Sequence, residues 1–375
     1  CSLRTLNLLG ILEGELEKPE IAKKILRRCL LIKPNWPTAL HNLGLQLSLC
    51  GDSKAAIDTF RNALAYSNGD YPEASYNLGL ELMGTGEIAE GFDYYRMRWK
   101  TDGFLSPHRP LFQTEWPGPL AAPRSNLAIF MEQGMGDEVM YSWYLPWVAA
   151  DTESLTVECD GRLMPIFRRS FPKITFVARE DPISKTLSVR EIEYKTAIGS
   201  VPQFYADPLK KLIQKQQVLP RIFGKRHKPR LEVNTDRLAH WRQYLRTTFG
   251  DRPCLGVVWR SAFKTHKRNK QYLTPSQLIA ALPPFVGIVN LQYSYNPEEA
   301  EEFSRLGSRY NLQFETPPGI DLKDDLDDLF ALIQSLDGVV GPLISVPWMA
   351  AAVGTPAFVF RTAARGNIWQ QLNTP

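Results

Sequence analysis

The chain has 375 residues, of which 44% are hydrophobic and 22% are charged, a globular composition that excludes the disordered and fibrous classes. At roughly 150 residues per domain, this length favours two or three domains. The formal net charge of +4 is too small to indicate nucleic-acid binding by itself.

Cysteine content and hydropathy bear on the compartment. The five cysteines form no Cys-x-x-Cys pair, so the sequence predicts neither a disulfide framework nor a zinc knuckle. This pattern favours a reducing compartment, and we expect a cytoplasmic location. No stretch of eighteen apolar residues occurs, so we expect no transmembrane segment. Because the chain opens on Cys1 without a basic and then apolar leader, we expect no secretory signal and a fragment of a longer polypeptide.

Charge is distributed unevenly along the chain. Residues 205–272 carry 17 Lys or Arg and 4 Asp or Glu, whereas residues 291–330 carry 3 basic and 10 acidic residues. The two blocks are either solvated faces that meet in space, or the basic block forms a pocket for a phosphorylated ligand.

A repeat of 34 to 35 residues occupies the first hundred positions. Its glycines are Gly10, Gly44 and Gly79, and the last two stand in the triplet Asn-Leu-Gly. Small and large residues recur after the first two glycines, at Ala22 and Ala56 and then at Leu26 and Phe60. Small residues let paired helices approach closely, and the large ones fill the groove between neighbouring pairs.

This register resembles the tetratricopeptide family over about residues 1–100. The third unit departs from the pattern at Gly91 and Arg98, as a terminal repeat does. The resemblance implies a helical repeat domain, 1–101. Its concave surface either binds a protein acceptor, or the repeats are a spacer that only stacks on the next domain.

A Pro-rich linker, 102–123, comes after the repeats. It leads to a strand predicted at 127–131 and then to Gly134, Gly136 and Asp137. Glycines directly after a strand predict a tight strand-to-helix turn at the carboxyl edge of a sheet, where ligands bind. Asp137 either serves such a site or only caps the adjoining helix.

The remaining sequence alternates strands and helices, which is typical of a doubly wound α/β architecture. We expect one Rossmann-like half at 124–235 and a second at 236–375, with a nucleating strand at 254–259. A basic loop with Arg260, Ser261 and Lys270 comes directly after this strand. It is either a diphosphate clamp or a flexible solvated loop.

A short apolar helix is predicted to begin near Ser345. Pro347 lies in its first turn and Gly354 at its far end, which is the expected asymmetry of a short helix. Its first backbone N–H groups would face the cleft and attract phosphate.

Five motifs occur in a fixed order along the second part of the chain. They are Glu132-Gln133-Gly134-x-Gly136-Asp137, Gly256-Val257-Val258-Trp259-Arg260-Ser261, Leu291-Gln292-Tyr293, Ile320-Asp321-Leu322-Lys323-Asp324-Asp325 and Ala350-Ala351-Ala352-Val353-Gly354-Thr355-Pro356. Together they resemble the heptosyltransferase-like glycosyltransferases over about residues 115–375. The resemblance is especially to members fused behind tetratricopeptide repeats, such as bacterial flagellin glycosyltransferases and relatives of O-linked N-acetylglucosamine transferases.

The resemblance implies a fold class, a reaction and roles for residues. The fold would be tetratricopeptide repeats followed by a GT-B fold, with the acceptor on the first Rossmann-like half and a nucleotide-sugar donor on the second. The reaction would be metal-independent, inverting transfer to a hydroxyl. Asp137 would be the general base in the acceptor-side turn of Gly134 and Gly136. Donor contacts would fall on Trp259, Arg260, Ser261, Lys270, Gln292 and Ser345.

The chain departs from the family in two places. Leu343-Ile344 and Trp348 stand where many relatives have Asp-Thr and His, so hydroxyl and imidazole contacts to the diphosphate are missing. The chain also ends before the segment that carries the last helix of the relatives, so we expect the donor-side half to be truncated.

The sequence predicts neither a metal nor a cofactor beyond the nucleotide-sugar co-substrate. It has no HExxH motif and no His-rich cluster, and we interpret Asp327-Asp328 as an exposed helix face. Three function classes stay open: a glycosyltransferase, a catalytically inactive binding scaffold motivated by the missing polar residues, and a nucleic-acid binder motivated by the basic block. No RNA-binding motif accompanies that block, so we expect no nucleic-acid partner.

Overall fold

The computed structural model of the chain describes residues 2–104, 106, 109, 111, 113–188, 191–206, 229–261, 272–310 and 312–360. These residues form two compact units. The first unit contains 2–104, 106 and 200–206, and the second contains the other described residues. Within the described part of the chain, no helix is both long and apolar enough to cross a membrane.

The first unit is built from three consecutive helix pairs. They are α1 (Leu3–Glu15) with α2 (Pro19–Ile32), α3 (Pro37–Leu49) with α4 (Ser53–Tyr66), and α5 (Pro72–Thr85) with α6 (Ile88–Tyr95), followed by a 3-10 helix at Arg96–Lys100. Proline begins α2, α3 and α5, where its fixed φ suits the first helical position and its missing N–H costs nothing. The predicted helical repeats are confirmed.

The repeat glycines stand where two helices cross with no room for a side chain. A Cβ on Gly44 would lie 2.5 Å from the Phe60 ring, and a Cβ on Gly79 would lie 2.7 Å from the carbonyl oxygen of Gly91 and 2.8 Å from the nitrogen of Tyr95. In the third repeat, α5 and α6 are therefore in direct contact through their backbones. Glycine at position 91, where the repeat pattern expects Ala, is the residue that allows it.

Arg98 closes the end of the third repeat. Its side chain is fully buried, donates to the Ser200 hydroxyl at 3.1 Å and lies over the Tyr95 ring at 4.7 Å. Ala206 joins the core formed by Met83, Ile88, Phe92 and Tyr95. Residues 200–206 thus lie with the repeats, although the sequence assigns them to the range 124–235. The four predicted domain ranges stay predictions.

The second unit contains two parallel sheets of five strands each among its described residues. The first has the order β1-β5-β2-β3-β4 and the second the order β10-β9-β6-β7-β8. The strands are β1 (Thr114–Glu115), β2 (Asn126–Phe130), β3 (Ser154–Cys159), β4 (Thr175–Ala178), β5 (Tyr194–Ala197), β6 (Cys254–Val257), β7 (Gly287–Asn290), β8 (Gln313–Glu315), β9 (Gly338–Pro342) and β10 (Ala357–Phe360).

Eight described helices accompany these sheets. They are α7 (Met135–Tyr141), α8 (Leu145–Asp151), α9 (Met164–Ser170), α10 (Thr235–Phe249), α11 (Pro275–Ala280), α12 (Pro297–Tyr310), α13 (Leu326–Ser335) and α14 (Ser345–Ala352). Short 3-10 helices lie at Ser142–Tyr144, Gly161–Leu163, Lys185–Ser188 and Ile198–Tyr205. The predicted fold class, helical repeats followed by two Rossmann-like α/β halves, is confirmed.

The strand orders fix where a ligand can bind. In the second sheet the chain starts in the middle, at β6, moves outward to β8 and then returns to the other side of β6. The first sheet follows the same order from β2 onward, and β1, which precedes β2 in the chain, lies at the edge beside β5. The crevice of a parallel sheet opens at this switch point, beyond the carboxyl ends of the central strands. The segments after β2, β6 and β9 therefore line the places that a ligand can reach.

We expect Gly79→Ala to lower the free energy of unfolding of the first unit by about 1–2 kcal/mol. The clash with backbone atoms outweighs the roughly 1 kcal/mol that Ala gains in helix propensity. Differential scanning calorimetry of the full chain measures this. Gly103→Ala is the matched control, because a Cβ there meets no atom within 4 Å. An unchanged transition in Gly79→Ala would contradict the close crossing.

Candidate active site

The Gly134 turn connects β2 to α7 at the carboxyl edge of the first sheet. Gly134 is the N-cap of α7, and Asp137 is its third helical residue. One Asp137 carboxylate oxygen accepts the Gly134 N–H at 3.1 Å, and the Asp137 N–H donates to the Gly134 carbonyl at 2.9 Å. Asp137 is therefore the third helical residue of a capping box, and its carboxylate caps the start of α7 as the alternative interpretation expects. Its role in a site stays a prediction.

Backbone strain marks the same turn. Gln133 has a φ of +63°, a left-handed conformation that costs a residue with a Cβ about 1 kcal/mol or more. Such strain persists only where the surrounding structure holds it, and it is common at functional sites. The turn is thus held in its conformation by neighbouring contacts.

The turn lies directly against the start of α14 in the other half. A Cβ on Gly136 would be 2.9 Å from the Ser345 Cα and 3.4 Å from the Ser345 nitrogen, so only glycine allows this approach. α14 begins after Ile344, and no side chain in the described ranges caps it. The structure therefore brings together four of the predicted site residues: Gly134, Gly136, Asp137 and Ser345.

Gln292 connects the segments that follow β6 and β7. Its side chain is fully buried, and its amide oxygen accepts the backbone N–H groups of Trp259 and Arg260, each at 3.2 Å. Its amide nitrogen donates to the Ser294 carbonyl at 3.1 Å. Gln292 thus fixes the backbone after β6, and its predicted contact with the donor stays a prediction.

Arg260 already has a carboxylate partner. Its Nε and Nη2 donate to the two carboxylate oxygens of Glu299 at 2.8 and 2.7 Å, and its side chain is 10% exposed. Glu299 also accepts the Asn296 N–H at 3.1 Å, so the pair is anchored to the start of α12. The paired carboxylate reduces the positive field that Arg260 can offer to a phosphate.

The other residues that are predicted to contact a donor lie in different environments. Trp259 is 1% exposed and packs on Phe303, with ring centroids 4.4 Å apart, in the core beneath β6. Ser261 is half-buried. Lys270 lies outside the described residues. The predicted donor contacts of these three residues stay predictions.

The prediction that Asp327 and Asp328 form an exposed helix face is wrong. Asp327 pairs with Arg169, and Asp328 accepts the Trp241 Nε1–H at 2.8 Å. Arg237, from the basic block, donates to Asp325 at 2.7 Å. Part of the acidic block is therefore neutralised by arginines of both halves, because burying a carboxylate requires a partner.

Sequence reasoning missed a buried carboxylate beside Asp137. Glu138 is fully buried, and its oxygens accept from Arg179 at 2.6 Å and from the Asp160 N–H at 2.9 Å. Burial raises the pKa of Glu138 to about 7. The sequence did contain a signal for this burial: Glu138 stands three residues before the apolar, buried Tyr141, and residues at this spacing share a helix face.

No group of three or more metal-ligating side chains is assembled within the described ranges. The expectation of a reaction without a metal stays a prediction.

No protein-family model matches the chain. The chain is similar to protein FlbA of Caulobacter vibrioides, with 29% identity over 354 residues, which cover 92% of this chain and 57% of FlbA. The chain thus spans little more than half the length of this relative. The match is long enough to include both the repeats and the α/β part, and the fused architecture that the sequence predicts is present in the fold itself.

Two solved structures show weaker likenesses. An O-GlcNAc transferase of Thermobaculum terrenum is 14% identical, with 96% of this chain and 82% of that chain covered and a TM-score of 0.29. The ADP-heptose LPS heptosyltransferase II of E. coli is 16% identical, with 62% of this chain and 83% of that chain covered and a TM-score of 0.41.

We expect Gly136→Ala to destabilise the second unit by about 1–3 kcal/mol, because the new methyl group meets the backbone of Ser345. Urea denaturation of the full chain measures this loss. Gly161→Ala is the matched control, since its Cβ would make only an ordinary contact of 3.7 Å with Ala178. Equal stability of the two variants would contradict the contact between the Gly134 turn and α14.

Proposed function

We propose that the chain is a glycosyltransferase that moves a sugar from a nucleotide sugar to a hydroxyl of a protein or glycan acceptor. One observation carries the proposal: the carboxylate-bearing Gly134 turn lies against the start of α14, at the carboxyl edges of two parallel sheets. A base and a site for an anionic leaving group are the two parts that such a transfer needs. The ordered motifs of the sequence support the same reaction.

Asp137 is the general base of the proposed reaction. A hydroxyl is a weak nucleophile, so a carboxylate within about 2.6–3.2 Å must accept its proton as the bond to the sugar forms. The Gly134 N–H holds one carboxylate oxygen at 3.1 Å and so fixes the orientation of the side chain. Attack from the side opposite to the leaving group inverts the configuration at the sugar carbon.

The leaving nucleoside diphosphate develops negative charge. In the proposed mechanism the first N–H groups of α14 and the Arg260 guanidinium stabilise this charge in place of a divalent cation. The absence of a side-chain cap on α14 among the described residues supports this role. Arg260 donates to the leaving group through Nη1, the nitrogen that does not contact Glu299, or its guanidinium moves from Glu299 to the leaving group.

The repeats are proposed to bind a polypeptide acceptor. They form a compact unit of their own, closed at one end by Arg98 and residues 200–206. An acceptor held on a separate unit of the same chain has a raised effective concentration, so the transferase halves need not bind it tightly.

A catalytically inactive nucleotide-sugar or protein-binding scaffold is the second candidate. Its support is the pairing of Arg260 with Glu299, together with Leu343 and Ile344 where many relatives have polar residues. Such a scaffold would bind a nucleotide sugar without turning it over.

We expect Asp137→Asn to lower nucleotide release from the cognate nucleotide sugar by about 10²–10⁴-fold, because the amide cannot accept the hydroxyl proton. The assay incubates the full chain and a candidate acceptor with a panel of nucleotide sugars and quantifies free nucleotide. Glu298→Gln, an exposed site with the same change of charge, is the control and should keep full activity. Near-native release by Asp137→Asn would remove Asp137 as the base, whereas binding without release in the wild-type chain would favour the scaffold.

We expect Arg260→Ala to weaken nucleotide-sugar binding by roughly 10–100-fold, the usual loss when a hydrogen bond to a charged group is removed. Isothermal titration calorimetry measures the affinity. Arg305→Ala changes the charge equally at an exposed site on α12 and should leave the affinity unchanged. If both variants bind the donor like the wild type, Arg260 serves only to hold Glu299.

A further inference from the structure

A buried ion pair lies immediately below the Gly134 turn. Glu138 has no exposed surface, and one of its carboxylate oxygens accepts from Nη2 of Arg179 at 2.6 Å. The other oxygen accepts the backbone N–H of Asp160 at 2.9 Å. A buried carboxylate is costly unless it is paired and hydrogen-bonded, and both conditions are met here.

This carboxylate joins three strand ends to one helix. Asp160 directly follows β3, and Arg179 directly follows β4. The same Arg179 nitrogen also donates to the carbonyl of Met131 at 2.9 Å, directly after β2. Glu138 itself lies in the first turn of α7, so Glu138 and Arg179 together link the carboxyl ends of β2, β3 and β4 to the helix that carries Asp137.

Backbone geometry couples Glu138 to Asp137. The two residues are neighbours, and their backbone N–H groups both donate to the Gly134 carbonyl, at 3.0 Å for Glu138 and 2.9 Å for Asp137. The Gly134 N–H in turn donates to the Asp137 carboxylate. A displacement of Glu138 therefore moves the turn, the Asp137 carboxylate and the Gly136 contact with Ser345 together.

We propose that Glu138 is a positioning residue of the candidate active site, which holds the Asp137 turn in register with the strand ends through Arg179 and the Asp160 amide. The catalytic part of this proposal rests on the proposed glycosyl transfer. The positioning part concerns the turn alone and is measurable without any substrate.

The charge state of Glu138 determines whether it can hold the turn. Its ionised carboxylate accepts from both donors, whereas the protonated form has one oxygen that carries a hydrogen. The groups that face it are the Arg179 guanidinium, the Asp160 amide and carboxylate, and the Cys159 thiol. Burial raises its pKa to about 7, against the lowering effects of Arg179 and the Asp160 amide.

Because the pKa of Glu138 is raised, its contribution to stability and its positioning of the turn depend on pH in opposite directions. Between the ordinary carboxyl pKa and about 7, folded Glu138 holds a proton that the unfolded chain has released. Its contribution to stability is therefore greatest below this window and falls as the pH rises through it. The ionised form that makes both hydrogen bonds prevails only above about pH 7, so positioning strengthens where this contribution to stability weakens.

The test compares Glu138→Gln with Glu158→Gln in the full chain. Glu158, on β3, is an equally buried glutamate, but its hydrogen-bond partner is Arg109, at 2.7 Å, so it is a control for loss of a buried charge. Amide resonances of Gly134 and Asp160 are followed by NMR in selectively labelled protein between pH 5.5 and 8.5, a range of roughly three units around the titration. They report the turn and the Glu138 hydrogen bond.

We expect both amides in the wild type to shift with a common midpoint near pH 7. Glu138→Gln should abolish this step at both amides, and Glu158→Gln should keep it. Arg179→Lys, which retains the charge but whose side chain is shorter than that of arginine, should reduce the step and serves if Glu138→Gln does not fold. A Gly134 amide with the same chemical shift in Glu138→Gln as in the wild type, or with an unchanged step in Glu138→Gln, would overturn the proposal.

Turnover then tests the catalytic part. With a cognate nucleotide sugar, Glu138→Gln should lower kcat by about 10- to 100-fold with donor KM changed less than twofold, because the base is displaced while the donor site is intact. The acid limb of the wild-type pH profile should share the midpoint of the amides. Amide shifts as expected with no turnover in the wild type would reject the proposed function but not the positioning, and unchanged kcat in Glu138→Gln would reject the catalytic part.

Discussion

The close approach of Gly136 to the first residue of α14 is the contact on which the organisation of the second unit depends. It places a strand-to-helix turn of one parallel sheet against a helix start of the other, beyond the carboxyl ends of strands, where ligands bind to parallel sheets. A side chain larger than hydrogen at position 136 would separate them. The Gly134 turn and the start of α14 are therefore in contact because position 136 carries no side chain.

Paired charges hold the two halves around this contact. Arg162 and Arg169 from the first half reach Asp324 and Asp327 before and within α13, and Arg230 lies 3.9 Å over the Trp143 ring. These pairs add little to the free energy of unfolding, since the cost of desolvating the charges offsets most of their attraction. Their hydrogen bonds do require a defined geometry. The pairs therefore favour one arrangement of the two halves over others. A site composed of residues from both halves requires such a fixed arrangement.

Much of the architecture could be predicted from the sequence because it depends on local spacing. The glycine period indicated the repeats, and the apolar runs with glycines after them indicated the strands and the turn at Gly134. The side-chain partners could not be predicted in this way. Arg98 finds Ser200 102 positions away, Glu138 finds Arg179 41 positions away, and Arg260 finds Glu299 39 positions away. Tertiary packing determines such partners. Arg260, which the sequence suggests as a phosphate ligand, therefore pairs with a carboxylate, and Arg98, which departs from the repeat pattern, lies over the Tyr95 ring.

The most direct test of the account is where a nucleotide sugar binds. Methyl resonances of methionine, labelled with carbon-13, report this in the full chain, because Met135 lies beside Gly136 in the turn whereas Met97 lies in the first unit. Titration with uridine, guanosine, adenosine and cytidine nucleotide sugars should shift the Met135 signal saturably with at least one of them and leave Met97 unchanged. Saturable binding by calorimetry with an unmoved Met135 signal would place the ligand elsewhere and contradict a site at the contact between the Gly134 turn and α14.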